Sequence, residues 1–410
     1  MVVRPHGPRS RRFGIYGLTK PAVFNAQVVI DRLASIAPTG TVLHEPEFAG
    51  NEWAYVKDCL DTGWVSSVGS YVNRFEEMLV QQTGVSHAVA TVNGTAALHT
   101  ALILAGVTAG DEVIVPALTF VATANAVSYC GSVPHLADSE GKTLGLDPEK
   151  LSKHLEEIAV VNKDTCINRN TGARIRAVVC MHTFGHPVDL DKLASVCERF
   201  SLILIEDAAE SLGSRYKDRH AGAWGRLSVL SFNGNKTVTT GGGGAILTNE
   251  KDLAIAARHL TTTAKTAHQW EYVHDRIGYN YRLPNINAAI GCAQLEQLPD
   301  LIERKRRLAE AYAKIFADTP GVCFFQEPDF ARSNYWLNVL LVDTAENRDA
   351  LLMRSNMQSI MTRPAWTPMH HLPMFNDCPR MNLETADDLH NRIINIPSSA
   401  KLAPGAHEVA

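Results

Sequence analysis

The stretch HAVATVNGTAALHTALILAG, from His87 to Gly106, contains the structural unit that recurs along most of this chain. Its apolar first part, HAVATV, is followed by the turn NGT at Asn93–Thr95 and then by an apolar segment that ends at a glycine. A strand, a short turn and a helix closed by glycine account for this order. A fully apolar strand in such a unit is typical of a sheet with helices on both faces, so the stretch predicts an α/β fold.

The same alternation continues along the chain. The apolar runs EVIVP, VPHLAD, IRAVVCMH and LILIED alternate with helical segments. We therefore expect a mostly parallel sheet in a large domain over residues 43–295, with ligands at the carboxyl ends of its strands. A long helical segment from about Asn285 leads into a smaller C-terminal α/β domain over residues 296–410. Residues 1–42 form a partly helical N-terminal extension, with Val28, Ile30, Leu33 and Ile36 on one helix face.

Composition and charge exclude several classes of protein. The chain of 410 residues is 45% hydrophobic and 20% charged, as expected for a globular protein of more than one domain. Its net charge of −4 gives no basic field that would attract nucleic acid or a membrane surface. No apolar run approaches the roughly 18 to 20 residues of a membrane span, and the opening MVVRPHGPRSRRFG lacks the apolar segment of a secretory signal. We expect a cytoplasmic protein without nucleic-acid or membrane partners.

Residues able to carry chemistry follow the apolar strands. Asp207 closes LILIED, Asn93–Thr95 open the helix after HAVATV, and Phe120 follows VIVPALT. Ser231 closes LSVLS, and Lys236 lies a short distance further on, between SFNGN and TVTTGGGG. Each also has a purely structural interpretation, because an acid can cap a helix, an aromatic residue can belong to the core and NGT is an ordinary turn. Their shared position after strands is what indicates a site.

One cofactor, pyridoxal 5′-phosphate, uses all of these groups together. Its aldehyde condenses with a lysine amine, a carboxylate keeps its pyridine nitrogen protonated, a helix N-terminus holds its phosphate and an aromatic face stacks on its ring. A P-loop is excluded because Lys236 precedes the glycines of TVTTGGGG instead of following them. His182, His186 and the histidines of MHH at 369–371 lack the spacing of a metal site, so we expect no metal.

From about Leu43 to Leu402 the chain resembles the DegT-type nucleotide-sugar aminotransferases, a branch of the fold-type I pyridoxal-phosphate enzymes. The resemblance is carried by GWVSSVG, VNGTAALHTAL, PALTFVATANAV, HTFGHPVDLD, IEDAAESLGS, SFNGNKTVTTGGGGAI and GYNYRLPNINAAIGCAQLEQL. It implies a seven-stranded sheet and a homodimer with shared active sites. It assigns the cofactor bond to Lys236, the pyridine nitrogen to Asp207, ring stacking to Phe120, and the phosphate to Gly94, Thr95, Ser231 and the partner subunit's Asn280. Glu210 departs from the family pattern, since many relatives have glutamine there, so its contact with the ring hydroxyl is expected to be altered.

The resemblance also implies a reaction, in which L-glutamate gives its amino group to a nucleotide-linked keto sugar and leaves as 2-oxoglutarate. Through SSVG, FNGNKTVTTGGGG and LTTTAK the chain is most similar to the subgroup that aminates C4 of UDP-2-acetamido-2,6-dideoxy-hexos-4-ulose, on routes to legionaminic acid or bacillosamine. The alternatives are a GDP-perosamine synthase, a C3 sugar aminotransferase, another pyridoxal-phosphate activity and a non-catalytic cofactor-binding sensor. Candidate substrate contacts are Trp64, Ser66, Ser67, His182, Arg363 and His370. Among these, Trp64 has a packing alternative and Arg363 a surface ion-pair alternative.

Overall fold

The computed structural model describes residues 24–406, so the arginine-rich opening and the last four residues lie outside it. The strands and helices expected from the apolar runs are present. The helices are α1 (Ala26–Ala34), α2 (Glu52–Thr62), α3 (Ser70–Thr83), α4 (Gly94–Leu104), α5 (Val121–Tyr129), α6 (Pro148–Ile158), α7 (Leu190–Arg199), α8 (Lys251–Thr261), α9 (Asn285–Phe316), α10 (Ala345–Met357) and α11 (Glu384–Arg392). The strands are β1 (His87–Thr91), β2 (Glu112–Pro116), β3 (Val133–Ala137), β4 (Ala159–Asn162), β5 (Thr165–Asn168), β6 (Arg174–Met181), β7 (Ile203–Asp207), β8 (Arg215–Tyr216), β9 (Arg219–His220), β10 (Leu227–Ser231), β11 (Gly244–Thr248), β12 (Val322–Phe324), β13 (Ala331–Arg332), β14 (Asn338–Val342), β15 (Arg363–Pro364) and β16 (Ile393–Ile396).

The main sheet is mixed but mostly parallel. Its strand order is β1-β11-β10-β7-β6-β2-β3. β11 pairs antiparallel with β1 and β10, whereas the neighbours from β10 through β7, β6 and β2 to β3 are parallel. The hairpin β4–β5, which the apolar runs did not indicate, attaches to β6 and brings the sheet to nine strands. As a result the carboxyl ends of β1, β2, β7 and β10 all lie at one edge of the sheet.

Local sequence explains where several helices begin and end. The Asn93 side chain accepts a hydrogen bond from the Ala96 N–H and caps α4, and Asp147 caps α6 in the same way. Gly63 and Gly84 adopt left-handed backbone angles that end α2 and α3. Because Asn93 follows β1 almost directly, its cap holds the N-terminus of α4 at the edge of the sheet where the strands end.

A second, smaller sheet lies beyond α9. Its four strands are antiparallel, in the order β12-β14-β16-β15. α9 runs without interruption across the expected boundary at 295/296. The part of α9 up to Ile302 packs in a core with α3 and β1, whereas from Leu308 onward it packs in a core with the smaller sheet. We propose that the change of domain falls within α9, between these two residues.

The described part of the N-terminal extension contains one helix, α1, and its packing differs in detail from the expected one. α1 contacts α9 and α10, and its buried residues share a core with the smaller sheet. Val29, Ile30 and Leu33 are fully buried, whereas Val28 is 40% exposed. The expected apolar face was therefore wrong in one member, because Val29 is buried where Val28 was expected. By its packing, α1 belongs to the smaller unit.

None of the helices described between residues 24 and 406 combines the length and apolar character needed to cross a bilayer. All eight cysteines lie in the described part of the chain and are free thiols.

Candidate active site

A cavity of about 310 Å³ opens where β1, β7 and β10 end. It brings together the cofactor residues expected from the sequence other than Asn280, namely Gly94, Thr95, Phe120, Asp207, Glu210, Ser231 and Lys236. These residues are spread along the chain from Gly94 to Lys236. The parallel order of the strands is therefore what makes them neighbours.

One end of the cavity is built to receive an anion. The N–H groups of Gly94 and Thr95 lie at the N-terminus of α4 and have no acceptor within residues 24–406. The space beside Gly94 is narrow, because a Cβ added there would lie 3.0 Å from Ser231 Cβ. Free N–H groups, the positive end of the helix dipole and the Ser231 hydroxyl together suit a phosphate group.

Asp207 supplies the buried carboxylate. It closes β7, and Thr123 Oγ1 donates a hydrogen bond to its Oδ2 at 2.8 Å. Burial raises the pKa of Asp207 above its usual value, and the hydrogen bond from Thr123 opposes that rise. A protonated ring nitrogen facing this carboxylate would supply the opposite charge that a buried anion requires.

Lys236 lies between an acid and an aromatic ring. Its Nζ is 3.1 Å from Glu210 Oε1 and 3.8 Å from the centroid of the Trp336 ring. Glu210 Oε2 accepts a hydrogen bond from the Phe184 N–H at 2.9 Å. Burial raises the pKa of Glu210 to about 7, although Lys236 acts to lower it. Glu210 is therefore a buried carboxyl group with a raised pKa that contacts the Lys236 amine directly.

Phe120 presents an aromatic face to the cavity. It precedes the first residue of α5 and half of its surface is exposed, so it is not a core residue. Its ring centroid lies 6.4 Å from that of Trp366, which in turn stacks on Phe184 at 4.8 Å. A planar ring bound between Asp207 and Lys236 would meet this face.

The structure corrects the expectation that His182 contacts substrate. His182 is fully buried, and its Nε2 lies 2.9 Å from Glu206 Oε2. Its Nδ1 accepts a hydrogen bond from the Val188 N–H, so both ring nitrogens have protein partners. Successive side chains of a strand point to opposite faces, and Glu206 accordingly points away from the cavity that Asp207 faces. His182 therefore supports the ends of β6 and β7.

Glu206 is the buried anchor of that support. Backbone N–H groups of Gly222, Trp224 and Gly225 donate to its carboxylate at 2.6 to 2.7 Å. Burial alone would raise the pKa of Glu206, but the hydrogen bonds from His182 and these N–H groups lower it below its usual value. The carboxylate consequently stays charged and ties the loop before β10 to β7.

The other residues expected to contact substrate lie outside this cavity. Trp64 is 57% exposed, and in the same segment Ser66 is exposed and Ser67 is half-buried. The carbonyl groups of Trp64 and Ser66 accept hydrogen bonds from Asn285. Arg363 is exposed and donates to Asn356 Oδ1 at 3.1 Å and to the Thr362 carbonyl at 3.0 Å. Asn280 is also exposed and away from the cavity of its own chain.

His370 belongs to the trio His370, His371 and Asp387, whose spacing a metal ion would accept. Both Nε2 atoms lie close to Asp387 Oδ1, at 3.0 and 2.9 Å. His370 Nδ1 is buried without a partner in the described chain. The tautomer with its proton on Nε2, where Asp387 accepts it, therefore leaves no buried N–H group of this ring without an acceptor. A metal bound to His370 Nε2 would require the proton to lie on Nδ1, which has no acceptor in the described chain. Metal-bound histidines normally donate the N–H of their second nitrogen to a protein group or water. Hydrogen bonding explains the trio, and we assign it no metal.

Two residues that shape the site were not predicted from the sequence, namely Thr123 behind Asp207 and Trp336 in the cavity wall. Thr123 lies three residues after Phe120 on α5, and this helical spacing was the available signal for it. Trp336 comes from the segment before β14, far along the chain, and no local pattern placed it near Lys236. Trp366 follows β15, and no local pattern distinguished it from a packing residue.

The residues present fit pyridoxal 5′-phosphate. The anion-binding end would hold the phosphate, Asp207 the ring nitrogen, Phe120 the ring face and Lys236 the aldehyde. Among the described residues of the wall, Lys236 is also the one basic side chain, so no second lysine competes for the aldehyde. Each of these four demands is met by a residue at the end of a strand or in the loop that follows it.

Comparison with known proteins agrees with this geometry. Residues 46–409 match the model of the DegT/DnrJ/EryC1/StrS aminotransferase family. A GDP-perosamine synthase of Escherichia coli O157:H7 is 39% identical over 361 residues, 88% of this chain and 94% of that protein, and one of Vibrio cholerae is 37% identical over 87% and 93%. The crystal structure of DesI in the presence of its TDP-sugar product has a TM-score of 0.77 and 30% identity, with 88% of each chain covered. The chain therefore belongs to the DegT/DnrJ/EryC1/StrS aminotransferase family and is a pyridoxal-phosphate-dependent aminotransferase of nucleotide sugars.

Proposed function

We propose that this enzyme transfers the amino group of L-glutamate to C4 of a nucleotide-linked 4-keto-6-deoxyhexose, with a GDP-linked sugar as the first candidate. The observation that carries the proposal is the convergence of Lys236, Asp207 and the N-terminus of α4 in one cavity. L-glutamate and the keto sugar give 2-oxoglutarate and an amino sugar, so the sugar carbonyl is reduced as the amino acid is oxidised.

The choice of nucleotide reverses the order expected from the sequence motifs. The motifs SSVG and FNGNKTVTTGGGG favoured a UDP-linked 2-acetamido sugar. Two relatives that match most of the chain at 37% and 39% identity are instead named GDP-perosamine synthases. We therefore place a GDP-linked sugar first and keep the UDP-linked sugar as the second candidate.

Each residue of the cavity has a role in this proposal. Bound pyridoxal phosphate supplies an aldehyde that accepts the amino group and a ring that withdraws electrons. Lys236 moves the proton between the donor Cα and the C4′ carbon of the cofactor, because it is the one basic side chain on the described wall. Asp207, which Thr123 holds in place, keeps the ring nitrogen protonated. Glu210 holds the Lys236 ammonium at 3.1 Å.

We also propose that the working enzyme is a homodimer whose sites are shared. The loop between α8 and α9 exposes large apolar side chains, with Trp270 at 71%, Tyr272 at 81% and Ile277 at 85%. Asn280 lies at the end of this loop and is exposed, which suits a residue that completes the phosphate site of a second copy. Trp64, Ser66 and Ser67 lie outside the cavity of their own chain. In such a dimer they would contact the substrate bound in the cavity of the other subunit.

The dimer can be tested by mixing two inactive variants. Lys236→Ala lacks the amine and Asn280→Ala lacks the proposed phosphate contact from the partner. In a mixed dimer one site combines an intact Lys236 with an intact Asn280, so we expect activity to return after the two proteins are unfolded and refolded together. Activity no higher than the sum of the two parents would contradict shared sites.

The substrate can be tested by kinetics with two sugars. Purified protein with pyridoxal phosphate and L-glutamate is incubated with one of two substrates, a GDP-linked 4-keto-6-deoxyhexose or a UDP-linked 2-acetamido-4-keto-6-deoxyhexose. The amino-sugar product is identified by mass spectrometry. We expect kcat/KM to be at least about 100-fold higher for the GDP-linked sugar, the discrimination typical of a site with hydrogen-bonding groups for one base. A preference for the UDP-linked sugar would reverse the assignment, and turnover of 2-oxo acids without a nucleotide would refute it.

A further inference from the structure

A tryptophan from outside the main sheet forms part of the cavity wall. Trp336 lies in the segment 333–336, which precedes β14, and is only 4% exposed. Its ring centroid lies 3.8 Å from Lys236 Nζ, and its Nε1–H donates to the Asn235 carbonyl at 2.8 Å. An ammonium group over the face of a desolvated indole is attracted by the negative face of the ring. Trp336 is thus bonded to the loop that carries Lys236 and also contacts the amine itself.

The segment 333–336 is fixed firmly against the large domain. The fully buried Asn334 donates from Nδ2 to the carbonyl groups of Glu210 and Leu212, both at 2.9 Å. Its Oδ1 accepts a hydrogen bond from the Trp336 N–H at 2.8 Å. Gly185 adopts a φ of +98° beneath it, and a Cβ on Gly185 would lie 2.0 Å from Asn334 Oδ1. Asn334 therefore links the backbone of Glu210 to that of Trp336, the two residues that contact the Lys236 amine.

A buried lysine holds the other side of this segment. Lys305 of α9 is 1% exposed, and its Nζ donates to the carbonyl groups of Trp336 at 3.1 Å and Ser398 at 2.6 Å. Burial lowers the pKa of Lys305 to about 7. An amine buried against two neutral carbonyl groups is a costly way to stabilise a fold, because no carboxylate within residues 24–406 pairs with it to offset its lost hydration. Its position behind Trp336 therefore calls for a functional explanation.

We propose that Trp336 is an active-site residue that, together with Glu210, holds the Lys236 amine whenever that amine is not bonded to the cofactor. Lys305 is a positioning residue that fixes Trp336 through its carbonyl group. The inference rests on the proposed role of Lys236. Transamination frees the amine in each half-reaction, and a fixed resting place keeps it within reach of the atoms between which it moves protons.

The test uses full-length protein loaded with pyridoxamine 5′-phosphate, in which Lys236 is free. The rate at which trinitrobenzenesulfonate modifies Lys236 is followed by peptide mass spectrometry from about pH 6 to about pH 10. Asp207, Glu210 and His44 interact electrostatically with Lys236, and Lys305 interacts with His44. All four groups remain unchanged in the Trp336 variants. We expect Trp336→Leu to speed modification about 5- to 30-fold near neutral pH and to move its midpoint to lower pH, because the ammonium loses its contact with the ring.

Three further variants separate this role from packing. Trp336→Phe keeps an aromatic face and should give an intermediate rate, whereas Trp53→Leu, which removes an 82% exposed tryptophan elsewhere, should leave the rate unchanged. Lys305→Met should speed the modification of Lys236 and move its pH midpoint to lower pH, as Trp336→Leu does. It should also lower kcat more than it changes KM. Modification of Trp336→Leu at the wild-type rate with the wild-type midpoint would overturn the inference, whether or not Lys305→Met folds.

A parallel measurement separates failure of this inference from failure of the proposed function. Wild-type protein with pyridoxal phosphate is reduced with borohydride, and the labelled peptide is identified. Labelling of Lys236 is expected. Labelling of a different lysine would overturn the proposed role of Lys236 and the inference with it, whereas labelling of Lys236 with no effect of Trp336→Leu would overturn the inference alone.

Discussion

Asp207 is buried, and in the proposed reaction it must carry a negative charge. Its carboxylate accepts hydrogen bonds from Thr123 Oγ1 and the Ala209 N–H, which a neutral amide at this position can in part retain. We expect Asp207→Asn to fold normally and to lower kcat by at least about 100-fold, since an amide cannot keep the ring nitrogen protonated and lost electrostatic stabilisation of this kind costs 10²- to 10³-fold. Steady-state kinetics with thermal unfolding as the folding control measures this. Retention of more than about a tenth of kcat would contradict the role of Asp207.

Glu210 gives a pH-dependent prediction for the cofactor-free protein. Burial raises its pKa from 4.5 to about 7, so between these values the folded protein holds a proton that the unfolded chain releases. The free energy of unfolding therefore falls as the pH rises across this range. Glu210→Gln removes this dependence, and its melting temperature relative to wild type should rise by a few degrees from about pH 5 to about pH 7 and then level off. A difference that stays constant with pH would contradict the buried, proton-binding carboxyl.

At the scale of elements, the site depends on the closeness of α4 to β10. A Cβ on Gly94 would lie 3.0 Å from Ser231 Cβ and 3.4 Å from the Leu230 carbonyl oxygen. Gly94→Ala should therefore displace the Ser231 hydroxyl and weaken pyridoxal phosphate binding about 10-fold, the loss of roughly one hydrogen bond to a charged group. Fluorescence titration with the cofactor measures this. Gly141→Ala is the matched control, because a Cβ there meets nothing within 4 Å, and equal affinities of the two variants would contradict the predicted fit.

Alternation of apolar runs was enough to predict the strands and helices of the large domain, because a strand buried on both faces leaves a continuous apolar signal. It did not show which side chain at a strand end faces the ligand. Glu206 and Asp207 are adjacent, and only the pleat of β7 sends one to the cavity and the other to His182. The hairpin β4–β5 was missed because the apolar residues of β4 directly follow the last residue of α6 and could not be distinguished from the end of that helix.

At the scale of the whole molecule, the N-terminal extension contributes to the smaller domain. Leu33 of α1 is fully buried in the core that α9 and the smaller sheet share. We expect Leu33→Ala to lower the free energy of unfolding by about 2 to 5 kcal/mol, the usual cost of emptying such a site. Val28→Ala on the same helix is the control and should change it by less than about 0.5 kcal/mol, since Val28 is 40% exposed. Urea unfolding of both variants measures this, and equal effects would contradict the packing of α1.

Contacts between distant parts of the chain are what the sequence could not predict. α1 and the smaller sheet are joined by tertiary packing alone, which no local pattern reports. Helical periodicity predicted that α1 has an apolar face, but it assigned Val28 to that face in place of Val29. Trp336 reaches Lys236 for the same reason, through a segment that shares no pattern with the lysine loop. The convergence of the residues proposed to bind the cofactor was predictable because each follows a strand of the main sheet.

The central claim is that Lys236 in this cavity carries a transamination that ends on a nucleotide sugar. The measurement that tests it most directly follows the visible absorbance of the pyridoxal-phosphate enzyme as L-glutamate and then a GDP-linked 4-keto-6-deoxyhexose are added, with Lys236→Arg in parallel. We expect glutamate to bleach the absorbance of the wild-type enzyme, the sugar to restore it as an amino sugar forms, and the variant to do neither. Absorbance that glutamate leaves unchanged in the wild-type enzyme, or a full cycle in Lys236→Arg, would contradict the claim.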